Sequence, residues 1–232
     1  MLTGLTASAN QGLQGWFLDY FEHTIKIGLT GPNSWLQAIQ DTLYMTAVAF
    51  VVGGAIGLVI GLFLVLTGPN GVLQNRLVFR ILDLFTSIFR AIPFIIMLAL
   101  LKGLTMLIMG TTIGLQAALV PLVGSTFPFF ARQVQVVLSE MDGGVIEAAQ
   151  ASGATTFDII KVYLSEGLPD LIRVSTVTLI SLIGETAMAG AIGAGGLGNI
   201  AVVKGYNQSH YDVTIVATVL VVLIVFSLQL IG

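Results

Sequence analysis

EAAQASGATTFDIIKVYLSEGLP, residues Glu147 to Pro169, is the stretch that decides how the rest of the chain reads. Polar residues recur in it every few positions, and it carries the punctuation of two short helices. Ala148, Ala149 and Ala151 favour helix. Gly153 stands where a left-handed, helix-ending residue is expected. Thr155 or Thr156 then supplies an N-cap oxygen to a second helix, with Asp158 well placed in its first turn. Phe157, Ile160 and Leu164 fall on one side of that helix at helical spacing. The pattern is that of a docking element.

On both sides of this stretch the chain changes character. Hydrophobic residues make up 56% of it, charged residues 9%, and the mean hydropathy is +0.97. A soluble domain carries roughly 25% charge, so the chain reads as an all-α, polytopic membrane protein. A net charge of -3 leaves no basic face for phosphates and argues against nucleic acid as a partner. There is no cysteine, hence no disulfide framework or thiolate chemistry. The two histidines, His23 and His210, are too far apart in sequence to suggest a metal site.

About five spans are expected. Thr42 to Thr67 runs without one charge and is long enough to cross the hydrocarbon core. Gly53, Gly57 and Gly61 line one face of it and invite close packing, either within the subunit or against another. A second span is expected from Arg80 to Lys102. The charge-free run Ala91 to Leu101 is too short alone, so that span must contain Arg90, with Pro93 as a kink. Arg90 is read either as a structural arginine at the cytoplasmic interface or as a pathway group. A third span follows Gly110-Thr111-Thr112 from Ile113 to Arg132, bent at Pro121 and Pro128. Arg132 to Arg173 holds no spanning run, and Asp142-Gly143-Gly144 reads as a turn within it. A fourth span runs from Leu171 to Ile192, then GAIGAGGLG from Gly190 to Gly198 reads as a flexible loop. The fifth runs from Val213 to Ile231.

Ahead of the spans, residues 1–40 form an N-terminal segment without signal-peptide features. Leu13, Trp16, Phe17, Tyr20, Phe21 and Ile25 recur at helical spacing, which suits an amphipathic helix in the membrane interface or one packed on the bundle edge. Residues 41–232 are then the transmembrane domain, with the polar loop at 140–170. If that loop is cytosolic, Arg76, Arg80, Arg90, Arg132, Lys161 and Arg173 lie inside, against Lys26, Lys102 and Lys204 outside. The positive-inside rule favours this orientation, which puts the N-terminus outside.

Glu185 sits inside the fourth span. A carboxylate there must face the bundle interior, a cavity or a cation, and both an interhelical hydrogen bond and a pathway or gate role fit. Ser181, Thr186 and Met188 nearby suit the route of a small amphipathic solute, although Met188 equally suits packing.

Glu147-Ala148-Ala149, three residues, Gly153, then a helix followed by Leu168-Pro169 resembles the coupling-loop signature of permease subunits of bacterial ATP-binding-cassette importers. The resemblance also covers Arg90-Ala91-Ile92-Pro93-Phe94, Gly114-Leu115-Gln116-Ala117-Ala118 and Gly193-Ala194-Gly195-Gly196-Leu197-Gly198. Together these resemble the methionine-importer permeases. The chain departs from the pattern where Leu164 is followed by Ser165 rather than proline, and its N-terminal forty residues exceed what the family leads one to expect.

The resemblance implies a type I importer permease in the bacterial inner membrane, acting as a homodimer among lipid. Two cytosolic ATPase subunits would bind ATP and Mg, and an extracytoplasmic binding protein would deliver methionine or a related amino acid. The permease itself would bind no cofactor and hydrolyse nothing, consistent with the absence of a G-x-x-x-x-G-K-[ST] phosphate loop. It implies ATPase coupling through Glu147, Ala148, Ala149, Gly153, Ala154, Thr155, Phe157 and Ile160, with Glu147 as a helix-terminus charge. Two other classes remain open from the residues alone: an ion-coupled secondary transporter using Glu185, and a membrane scaffold. The absence of an evident inverted repeat counts against the first.

Overall fold

The computed structural model describes residues 20–231. Among these residues there are helices and turns and no strand. The helices are α1 Glu22–Ile27, α2 Trp35–Thr67, α3 Arg76–Ala91, α4 Phe94–Leu100, α5 Lys102–Met109, α6 Leu115–Ser139, α7 Gly143–Ala151, α8 Thr156–Glu166, α9 Leu168–Ala189, α10 Gly196–Asn199 and α11 Tyr211–Ile231. Wide helical turns at Gly190–Ala194 and Ile200–Gly205 flank α10.

Among the described residues three stretches are long and apolar enough to cross a membrane: Trp35–Thr67, Leu168–Ala194 and Tyr211–Leu230. The pair α3 and α4 would add a fourth if it counts as one span. Helix α6 has 25 residues and so a length of about 37 Å, but prolines, hydroxyls and Arg132 make it less apolar. It lies at the centre of the bundle, packed along α2. The stripe of Gly53, Gly57 and Gly61 explains how closely: a Cβ on Gly57 would lie 2.7 Å from the Phe127 carbonyl oxygen, and one on Gly61 2.7 Å from Val134. The glycine face therefore serves packing within the subunit.

The amphipathic pattern from Leu13 to Asp19 lies outside the described residues; of the rest, Tyr20 is helical and α1 follows, ended by Gly28 at φ 73. Several other expectations are corrected. Helix α2 begins at Trp35 and not at Thr42, because Ser34 caps it by accepting from the Gln37 N–H. The boundary at residue 40 thus falls inside a helix. Asp41, which ended the charge-free run, lies against the glycine-rich segment: a Cβ on Gly195 would stand 3.3 Å from its Oδ2.

The expected second span from Arg80 to Lys102 is not one helix. Proline has no N–H and pushes the preceding residue to extended backbone, and Ile92 adopts φ -79, ψ 117. Helices α3 and α4 therefore meet at 103°. Only Thr86 of α3 is buried. An ion pair from Arg132 to Asp83 (2.8 Å) and the rings of Phe85, Phe89 and Phe127 hold α3 against α6. Asp142-Gly143-Gly144 is the start of α7 rather than a free turn: Asp142 accepts from the Gly144 N–H at 2.9 Å.

At the opposite end, α1 is tied to α11. Asp212, 5% exposed, accepts from the Thr24 N–H (2.8 Å) and hydroxyl (3.0 Å). His23 and His210, distant in sequence, stack at 3.7 Å. Among the described residues no cluster suited to a metal ion forms.

Candidate functional site

Helices α7 and α8 form as their caps dictate. Gly153 ends α7 at φ +81, and its N–H donates to the Gln150 carbonyl. Thr155 is the N-cap of α8, in a reciprocal capping box with Asp158. The Thr155 hydroxyl and N–H hold the Asp158 carboxyl below its usual range.

The two helices have contrasting faces. Ile146, Ile159 and Tyr163 are buried with Val65 and Leu66 of α2, Phe130, Val134 and Leu138 of α6, and Leu171 and Val174 of α9. One apolar core thus joins the helix pair to three long helices. Burial there raises the Tyr163 hydroxyl above its usual range. At the elbow into α9, Gly167 leaves no room for a side chain: a Cβ would lie 2.6 Å from the Tyr163 carbonyl oxygen. This glycine went unread in the sequence; three residues of α8 after Tyr163, where the Leu-Pro pattern is broken, were the available signal.

The other face is open. Glu147, Ala148, Gly153, Thr155 and Phe157 are exposed, Phe157 at 66%. A Cβ on Gly153 would meet nothing within 4 Å. Ala149 is half-buried, while Ala154 and Ile160 pack against the apolar core, so these last two hold the element in place. Glu147 is the fifth residue of nine in α7, not a helix-terminus charge.

The glycine-rich segment is not a flexible loop. Gly190, Ala194, Gly196, Leu197 and Gly198 are all buried. The Leu197 N–H donates to the Thr42 hydroxyl (2.9 Å), and Asn199 Nδ2 donates to the Gly190 carbonyl (3.2 Å). Its glycines permit backbone crossing: a Cβ on Gly190 would lie 2.5 Å from the Asn199 nitrogen, and one on Gly198 2.5 Å from Ala187 Cα. The segment is a packed re-entrant turn between α9 and α11, pinned to the first turns of α2.

Residues 53–232 match the family model described as the binding-protein-dependent transport system inner membrane component. The chain belongs to that family. It is 49% identical over 197 residues to the methionine import system permease protein MetP of Bacillus subtilis (strain 168), covering 84% of this chain and 89% of that one. It is 46% identical over 193 residues to a probable D-methionine transport system permease protein MetI of Pasteurella multocida, covering 83% and 89%. In three dimensions it is similar to a chain of an inward-facing MetNI methionine ABC transporter, with TM-score 0.84, 43% identity, and 85% and 92% of the two chains covered. The expected importer-permease fold is therefore borne out.

In this inner-membrane component the other singled-out residues fall in two groups. Glu185 on α9 accepts a hydrogen bond from the Ser125 hydroxyl of α6 (2.5 Å), an interhelical tie in the bundle interior. Thr186 is buried and donates to the Ile183 carbonyl, and Ser181 is half-buried. Arg90 and Pro93 lie at the exposed break between α3 and α4, away from that tie, and Met188 is 52% exposed. Lys102 was missed: it was read as the end of a span, yet it opens α5 and borders a cavity of about 330 Å³ lined also by Leu98, Thr105, Pro121 and Ile192. A lone charge between two apolar stretches was the signal.

Proposed function

We propose that this chain is the permease subunit of a methionine importer, driven by a separate ATPase. The observation that carries this reading is the two-faced helix pair: fused on one side to α2, α6 and α9, and open on the other at Glu147, Ala148, Gly153, Thr155 and Phe157. A partner seated on the open face can move the long helices as a body, which is what a two-state transporter requires. Two copies form the pathway, two cytosolic ATPase subunits bind ATP and Mg, and an extracytoplasmic protein presents the amino acid. The chain itself holds no cofactor and hydrolyses no ATP. It lies among lipid in the bacterial inner membrane, N-terminus outside, as an interfacial segment followed by the permease domain with coupling loop 140–170.

In this account Glu147 and Thr155 offer polar contacts to the ATPase, Phe157 an apolar knob, and Gly153 room for close approach. The Glu185–Ser125 tie sets the relation of α6 to α9 as they rock, and the pinned glycine segment is the outer gate. Supporting the substrate are the methionine relatives at 46–49% identity. Because the chain has no cysteine, Phe157→Cys is a single reporter. Its labelling by a thiol reagent is expected to fall several-fold when the ATPase subunit is added, in the way a buried contact residue is protected. Undiminished labelling in an assembled complex contradicts the proposed docking face.

A further inference from the structure

Lys102 is the only charged residue between Arg90 and Arg132. Its side chain is exposed at the start of α5, where a cation facing lipid would be costly and one facing an aqueous route would not. The chain's other lysines have partners: Lys26 pairs with Glu22 (2.6 Å), Lys161 with Asp158 (3.6 Å), and Lys204 donates to the Asn33 carbonyl (3.0 Å). Lys102 makes no ion pair or hydrogen bond with another described residue. It is also the only ionisable group lining its cavity. The other walls are mostly apolar, and Thr105, whose hydroxyl donates to the Leu101 carbonyl (2.9 Å), leaves only acceptor lone pairs.

One cation, hydroxyl acceptors and an apolar wall complement a small zwitterion with an apolar side chain. A volume of about 330 Å³ lies at the small end of ligand pockets, as such a solute needs. The walls also belong to parts that would move relative to one another. Leu98 and Lys102 come from α4 and α5, Pro121 from α6, which leads to the coupling helices, and Ile192 from the glycine segment.

We propose that this cavity is a waypoint for the transported amino acid, binding its carboxylate at Lys102 and its side chain against Leu98, Pro121 and Ile192. The inference rests on the importer reading and adds a place within the pathway where the solute is held. Occupancy bridges the α4–α5 wall and the gate.

The test uses proteoliposomes holding the assembled importer, its ATPase and its binding protein. Lys102→Met and Lys102→Ala are expected to lower methionine uptake by about tenfold or more, the loss of one charge-assisted contact, and Lys102→Arg to lose much less. A second measurement leaves Lys102 in place: methionine should slow thiol modification of Thr112→Cys, a residue lining the same cavity. Wild-type uptake in both charge-removing variants, or modification of Thr112→Cys that methionine does not slow, overturns the site alone. A wild-type complex that moves no methionine with ATP overturns the importer reading, and this inference with it.

Discussion

Replacing Gly153 by leucine is expected to cut ATP-driven uptake by about tenfold or more while the spans stay folded. Gly153 holds φ +81, a conformation that costs a residue with a side chain about 1–2 kcal/mol, and 1.4 kcal/mol is already tenfold in an equilibrium. Within the chain the new side chain would meet nothing within 4 Å, so no core is disturbed. It would instead stand on the open face between α7 and α8, where the ATPase is proposed to sit, and tilt the helices about the Ala154 N–H to Ala149 carbonyl bond. Uptake and ATPase co-purification measured on the same preparation check this. Unchanged uptake would remove Gly153 from the docking surface.

The second large effect is expected at Gly198→Ala. Here the side chain has nowhere to go, since its Cβ would lie 2.5 Å from Ala187 Cα and 2.7 Å from the Ala187 carbonyl carbon. Both neighbours are backbone, which relaxes only by moving α9 or the re-entrant turn. Overpacking of this kind costs typically about 1–3 kcal/mol. The expected result is a lower thermal midpoint of the purified permease, together with loss of uptake as Leu197 leaves Thr42. An unchanged midpoint contradicts the crossing of Gly190 and Gly198.

These two glycines show what could be read from the residues and what could not. Gly153 was legible because its cue is local: alanines before it, a capping threonine after it, and polarity in a chain otherwise apolar. Gly198 was read as part of a flexible loop because glycine-rich composition alone does not distinguish freedom from close approach. What decides it is Thr42, 155 residues away, accepting the Leu197 N–H. The start of α2 was missed for a related reason. Asp41 looks like the end of a span until the glycine-rich segment is seen to pack beside its carboxylate. Pro93 was visible as a kink, but the 103° turn depends on how α4 packs against α6. Of the residues proposed to couple, Ile160 follows the exposed Phe157 at helical spacing and Ala154 lies in the link between α7 and α8, and only the packed core shows that both face inward.

The central claim is that motion arrives from an ATPase through α7 and α8 and not from an ion gradient through Glu185. The most direct measurement is methionine uptake into proteoliposomes containing this chain, its ATPase and its binding protein, with ATP and with a proton gradient supplied separately. The account predicts uptake that requires ATP and is indifferent to the gradient. Uptake driven by the gradient in the absence of ATP would contradict it.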